Sequence, residues 1–107
     1  MIGDILFDLT KRETRQSSIR LARQLAGSLP QITSMHKNPL RFAGFRVLTA
    51  PDVPSVLIET GYLSSEEDAR LMKTAEWRQA MARAIADAIA RHLDENATRV
   101  TNSAARP

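Results

Sequence analysis

Three side chains of this 107-residue chain stand where proton or metal chemistry is conceivable: Glu59, His36 and His92. Glu59 closes the run Ser55-Val56-Leu57-Ile58-Glu59, just before Thr60-Gly61. An apolar run rich in β-branched residues suits a strand buried on both faces, as in the middle of an α/β sheet. Ligands and catalytic groups of open α/β sheets gather at the carboxyl ends of strands. A carboxyl group placed there is partly desolvated, which raises its pKa toward the range useful to a general acid or base. The same place equally suits a structural carboxylate satisfied by backbone N–H groups or by an arginine. His36 sits in a connector beside Lys37, with no Asp, Glu or second His near it in sequence. His92 falls near the C-terminal end of a helix, on its polar side, where the negative helix end favours an imidazolium.

Other chemistries find little support. A catalytic zinc takes three protein ligands and a water, and two isolated histidines with no cysteine do not make that set. The absence of cysteine also excludes disulfides and a thiol nucleophile. Only four glycines are present, none in a loop that would cradle phosphate. Ser17-Ser18, Ser28 and Ser64-Ser65 lack the strand-turn-helix setting of a nucleophilic serine.

The elements that would position these groups follow from hydrophobic spacing. Ile2, Ile5, Leu6 and Leu9 form one helical stripe, and Ile19, Ala22, Leu25, Ala26 and Leu29 a second on roughly the opposite face. Between them Thr10 to Gln16 is polar throughout, so either the helix breaks or different partners cover its two ends. Helical spacing thus spans about residues 2–29, stopped by Gly27, Ser28 and Pro30. Phe45 to Thr49 alternates as a half-buried strand does, giving strands at about 44–49 and 55–59. The Pro51-Asp52-Val53-Pro54 link is too short for a parallel crossover of neighbours, so the two are antiparallel or not adjacent. Ser64 or Ser65 caps a helix over about 66–73, with Glu66, Glu67 and Asp68 at its positive end. Trp77, Met81, Ile85, Ile89 and Leu93 repeat every fourth residue and predict an amphipathic helix over about 75–93. Arg83, Asp87 and Arg91 lie opposite, at pairing distance along it. Residues 95–107 are small and polar and predict a disordered tail.

Composition sets outer bounds. Fifteen Lys+Arg against 12 Asp+Glu give a net charge of +3, with the signs interspersed, so nucleic acid is not indicated. With 43% hydrophobic and 25% charged residues the composition is that of an ordinary globular domain. No apolar run approaches the ~20 residues of a transmembrane helix. Met1 to Asp8 has no basic leader followed by an apolar stretch, so no signal peptide is expected there.

Residues 50–65, Ala-Pro-Asp-Val-Pro-Ser-Val-Leu-Ile-Glu-Thr-Gly-Tyr-Leu-Ser-Ser, resemble the signature near the C-terminal end of zinc-dependent N-acetylmuramoyl-L-alanine amidases of the cell-division type. The family form is close to A-P-D-x-P-S-V-L-V-E-T-G-F-L-S-N. Ile58, Tyr62 and Ser65 depart from it mildly and remove no group that the chemistry requires. Ala43 to Leu48 resembles the family's A-G-F-x-V-L strand, and Asp4 to Thr10 its I-L-x-D-L segment. Residues 66–71 and the helix to Leu93 are similar to its closing helices.

The resemblance implies an α/β fold, of which residues 1–94 would be the C-terminal part of the catalytic domain. It implies a peptidoglycan hydrolase that cleaves the amide between N-acetylmuramic acid and L-alanine. Glu59 would then be the catalytic carboxylate, acting as general base on a zinc-bound water and as acid toward the leaving amine. Thr60 and Gly61 would shape the site. The family's His, Glu and His zinc ligands lie in N-terminal segments that have no counterpart here, and their role is not carried onto His36. Zinc is therefore expected in a complete parent domain and not in this chain alone, which is expected to be inactive. The resemblance further implies a periplasmic or envelope location for the parent and a LytM-type activator protein as partner. The alternative is a stand-alone, non-catalytic binding or assembly module that keeps the amidase C-terminal fold.

Overall fold

The computed structural model describes residues 2–32 and 50–105. Helix α1 spans Ile2–Ser28 and runs straight into a 3-10 turn at Leu29–Gln31. Helix α2 spans Glu66–Met72, and α3 spans Ala75–Ala105. At about 1.5 Å per residue, α1 and α3 are each roughly 40 Å or more in length. Their near-equal lengths give the molecule its extents of 54 × 29 × 22 Å.

The core is a seam between the C-terminal half of α1 and the middle of α3. Leu21, Leu25 and Leu29 meet Met81 and Ala88 there. A four-residue step keeps the leucines on one helical stripe. Ala88, with no accessible surface, lets the two backbones come close. Trp77, Ala84 and Ile85 of α3 flank the seam, as do Ile32, Val56 and Ile58.

The polar stretch Thr10 to Gln16 does not break α1. Thr10 returns its hydroxyl to the carbonyl of Leu6 at 2.9 Å and Ser18 does the same to Thr14 at 3.0 Å. The helix is one rod whose two stripes meet different surroundings. Ile2, Ile5, Leu6 and Leu9, on the N-terminal stripe, are 53 to 78% exposed. Lys11 sets its ammonium 5.5 Å above the Phe7 ring beside them, a cation–π contact.

The α/β sheet expected from the sequence is not present: the described residues contain helices and no strand. The expected strand at 55–59 carries no strand pairing or helix, and that at 44–49 lies outside the described residues. An extended segment becomes sheet only when a second strand supplies donors and acceptors in register. Here Ser55 N–H donates instead to the Ser18 side chain of α1 at 2.8 Å. The 95–107 segment, expected to be a disordered tail, continues α3 as helix through Ala105. Thr98 and Thr101 bond back to the carbonyls of Asp94 and Ala97, each at 3.0 Å. The anticipated Arg83–Asp87–Arg91 pairing does not form; Arg91 reaches across to the Ser28 hydroxyl at 2.9 Å.

Candidate functional site

The segment from Ser55 to Ser65 crosses from α1 to the start of α2 and carries Glu59 between two anchored ends. At its first end the Ser55 N–H is held by Ser18. Val56 and Ile58 then turn into the α1–α3 seam. Leu57 and Glu59, which alternate with them, are exposed. Glu59 therefore faces solvent, not the partly desolvated setting that a buried strand end would supply. Among the described residues no hydrogen bond or ion pair occupies its carboxylate.

The second end is held by the entry to α2. Ser65, with extended φ −87° and ψ 122°, is the N-cap, and its hydroxyl accepts from Asp68 N–H at 3.2 Å. Ser65 N–H donates to the Tyr62 carbonyl at 3.1 Å. The Asp68 carboxylate reaches past the cap and accepts from Tyr62 N–H at 3.0 Å. Tyr62 is thus bonded through both its N–H and its C=O to the first turn of α2. Gly61 lies against the same carboxylate: a methyl added there would stand 3.4 Å from Asp68 Cβ and Oδ2. Thr60 and Gly61, expected to shape the site, lie half-buried between Glu59 and this clamp.

His92 is not on a solvated face. It is 3% exposed, in a buried cluster with Ser17 of α1 and Asn96 of α3. Its Nε2 is 3.1 Å from Ser17 Oγ and 3.1 Å from Asn96 Nδ2. Asn96 Nδ2 also donates to Ser17 Oγ at 3.0 Å. With Asn96 a donor, the closed set has Ser17 O–H donating to Nε2 and the ring proton on Nδ1. Burial pushes His92 below the usual histidine range, Arg20 adds to the shift by repulsion, and Glu95 opposes it. With Ser17 as buried as His92, this Ser-His-Asn group is out of substrate's reach and acts as a polar latch between the long helices. The four-residue step Ser17, Leu21, Leu25 was the signal for its place, since it puts the serine on the buried stripe.

His36 lies outside the described residues. Among the described residues no three of His, Cys, Asp and Glu are grouped to hold a metal ion. No helix among them is long and apolar enough to cross a membrane. Neither Ser18 nor Asp68 was singled out by spacing as a partner of the Glu59 segment, although Ser65-x-x-Asp68 carries the pattern of a helix cap.

Comparison with known proteins bears on this segment directly. The family described as N-acetylmuramoyl-L-alanine amidase matches residues 4–91. The chain is 37% identical over 97 residues to N-acetylmuramoyl-L-alanine amidase AmiC of Escherichia coli O6:H1, covering 91% of this chain and 23% of that protein. It is 35% identical over 89 residues to amidase AmiA of Escherichia coli K12, covering 83% of this chain and 31% of that protein. To AmiC of Neisseria meningitidis it is 31% identical over 93 residues, 87% of this chain and 22% of that one. The chain thus spans about a quarter of the length of these relatives. No solved structure matches it. The match takes in nearly all of α1, the first half of α3 and the Glu59 segment, and by it the chain belongs to the N-acetylmuramoyl-L-alanine amidase family.

Proposed function

We propose that this chain is the C-terminal part of a peptidoglycan amidase domain, and that Glu59 is its catalytic carboxylate. The observation that carries the reading is the presentation of Glu59. Its carboxylate is exposed and has no partner among the described residues, while the backbone on either side is fastened to α1 and α2. A general base must reach the proton it takes, and a carboxylate bound up in an ion pair would not be available for that.

The reaction is hydrolysis of the amide between N-acetylmuramic acid and the L-alanine of the stem peptide. Glu59 takes a proton from the attacking water as its oxygen adds to the amide carbonyl. The carboxylic acid so formed then gives that proton to the departing amine nitrogen, which leaves as a neutral amine. One carboxyl group can serve both steps because the proton it takes in the first is the one it returns in the second. The zinc ion associated with this family is not fitted by the described residues, which bring no three candidate ligands together. In a complete domain its ligands would come from residues outside them.

The exposed stripe Ile2, Ile5, Leu6 and Leu9 supports the reading as part of a larger domain. Four contiguous large apolar side chains on one helix face call for a cover, and the relatives are three to four times longer than their matched portions. An envelope location and an activator protein belong to the same proposal. Glu59→Gln in the intact gene product tests it: release of stem peptide from purified peptidoglycan should fall by at least about a hundredfold. Unchanged release would refute the role. A gene product that binds peptidoglycan without cleaving it would favour a non-catalytic module.

A further inference from the structure

Asp68 makes an unusual choice of partner. In a capping box the side chain at the third helical position accepts from the N–H of the cap residue itself. Here the cap N–H, that of Ser65, is already taken by the Tyr62 carbonyl at 3.1 Å. The Asp68 carboxylate is thereby released to reach Tyr62 N–H at 3.0 Å. Its own N–H is engaged by Ser65 Oγ at 3.2 Å, which fixes the residue from which it reaches. Gly61 rests against the same carboxylate at 3.4 Å from where its Cβ would be.

Between this clamp and the seam there is little free chain. Ile58 packs against the core, and Tyr62 is fixed by Asp68, so Glu59, Thr60 and Gly61 alone bridge the two. In a sheet the neighbouring strand would hold such a segment through its N–H and C=O groups. Among the described residues no strand does so, and two side chains from the helices take up the task. Ser18 holds the N–H of Ser55 at one end and Asp68 that of Tyr62 at the other. Of the two anchored residues, Tyr62 is the nearer to Glu59 along the chain. A charged acceptor makes the stronger of the two bonds.

We infer that Asp68 is a positioning residue for Glu59: its carboxylate fixes the Glu59-Thr60-Gly61-Tyr62 segment and so the place at which the catalytic carboxyl is presented. The inference rests on the catalytic reading of Glu59, and the measurements separate the two. In the 107-residue chain, amide hydrogen exchange and backbone order of residues 59–62 are compared for wild type, Asp68→Ala and Asp68→Asn. Asp68→Ala should exchange the Tyr62 amide proton at least about tenfold faster and loosen Glu59, because the acceptor is gone. Asp68→Asn keeps a carbonyl acceptor at the same reach and should restore most of the protection. If Glu59 stays as ordered in Asp68→Ala as in wild type, the inference is overturned.

In the intact gene product, Asp68→Ala should lower kcat for stem-peptide release by roughly ten- to a hundredfold with KM nearly unchanged, since a small misplacement costs chemistry more than binding. Asp68→Asn should recover most of that loss. A rise in KM alone, or equal losses in both variants, would overturn the positioning role. Glu59→Gln in the same assay reports on the parent reading: if it retains activity, that reading fails, whatever Asp68 does.

Discussion

Lowering the pH should loosen the joint between α1 and α3 through His92. In the folded chain Nε2 receives hydrogens from Ser17 and Asn96, and a proton placed on it would face the Asn96 amide N–H head on. Burial and Arg20 also oppose the charge, so the folded-state pKa lies below the ordinary value of 6.5. The unfolded chain then binds the proton more readily than the folded one, and stability falls as the pH drops. The contribution is fully present above pH 6.5 and is lost from there down through the folded-state value. One proton linked to unfolding gives a limiting slope of about 1.4 kcal/mol per pH unit.

Urea unfolding followed by far-ultraviolet circular dichroism at pH 7.5, 6.5 and 5.5 measures the effect. His92→Gln supplies an amide oxygen that cannot titrate. That variant should be less stable at pH 7.5, by about 1–3 kcal/mol for the disturbed bonds, yet vary less across the window. The wild-type curve should fall toward it. Asn96→Asp should reverse the trend, because a carboxylate beside Nε2 pairs with the protonated ring and raises its pKa. Parallel pH profiles for wild type and His92→Gln would refute the linkage.

Leu25→Ala, at the centre of the seam, should cost about 2–5 kcal/mol in the same unfolding experiment; a loss under 1 kcal/mol would mean that the two long helices do not share a core. Ser65→Ala should cost about 0.5–2 kcal/mol through the lost cap and show as faster amide exchange at Asp68. Zinc titration of the 107-residue chain, followed by calorimetry, should show no tight binding, because a stable site takes about four ligands. About one zinc held tightly per chain would reveal a set involving residues outside those described.

Much of the local order was legible in the residues. The Ser65 cap followed by Glu66, Glu67 and Asp68 marks a helix start because those groups answer its unpaired N–H groups and positive end. The four-residue repeat from Trp77 marks the packed side of α3 as far as Ile85; a strict four-residue step drifts round the helix, and beyond that point Ala88 and His92 are buried while Ile89 and Leu93 are exposed. Glu59 stood out by its place after an apolar run and by the motif around it. These signals are local: each depends on residues within a turn or two along the chain.

What sequence could not decide depends on groups far apart in it. The run from Ser55 to Glu59 has the composition of a strand, but whether it enters a sheet depends on what its backbone meets, and Ser55 meets Ser18, 37 residues away. His92 reads as a surface residue until Ser17, 75 residues away, is brought against it and the pair is closed over by the packing of two helices. The end of α3 had no apolar pattern to announce it, yet its threonines bond to their own helix and the turns continue to Ala105. By itself the sequence determined the family, the helical stripes and the carboxylate. The tertiary structure decided which side chains hold the backbone on either side of Glu59 and which histidine is kept from water, because hydrogen bonding and burial are settled only by the partners that folding delivers.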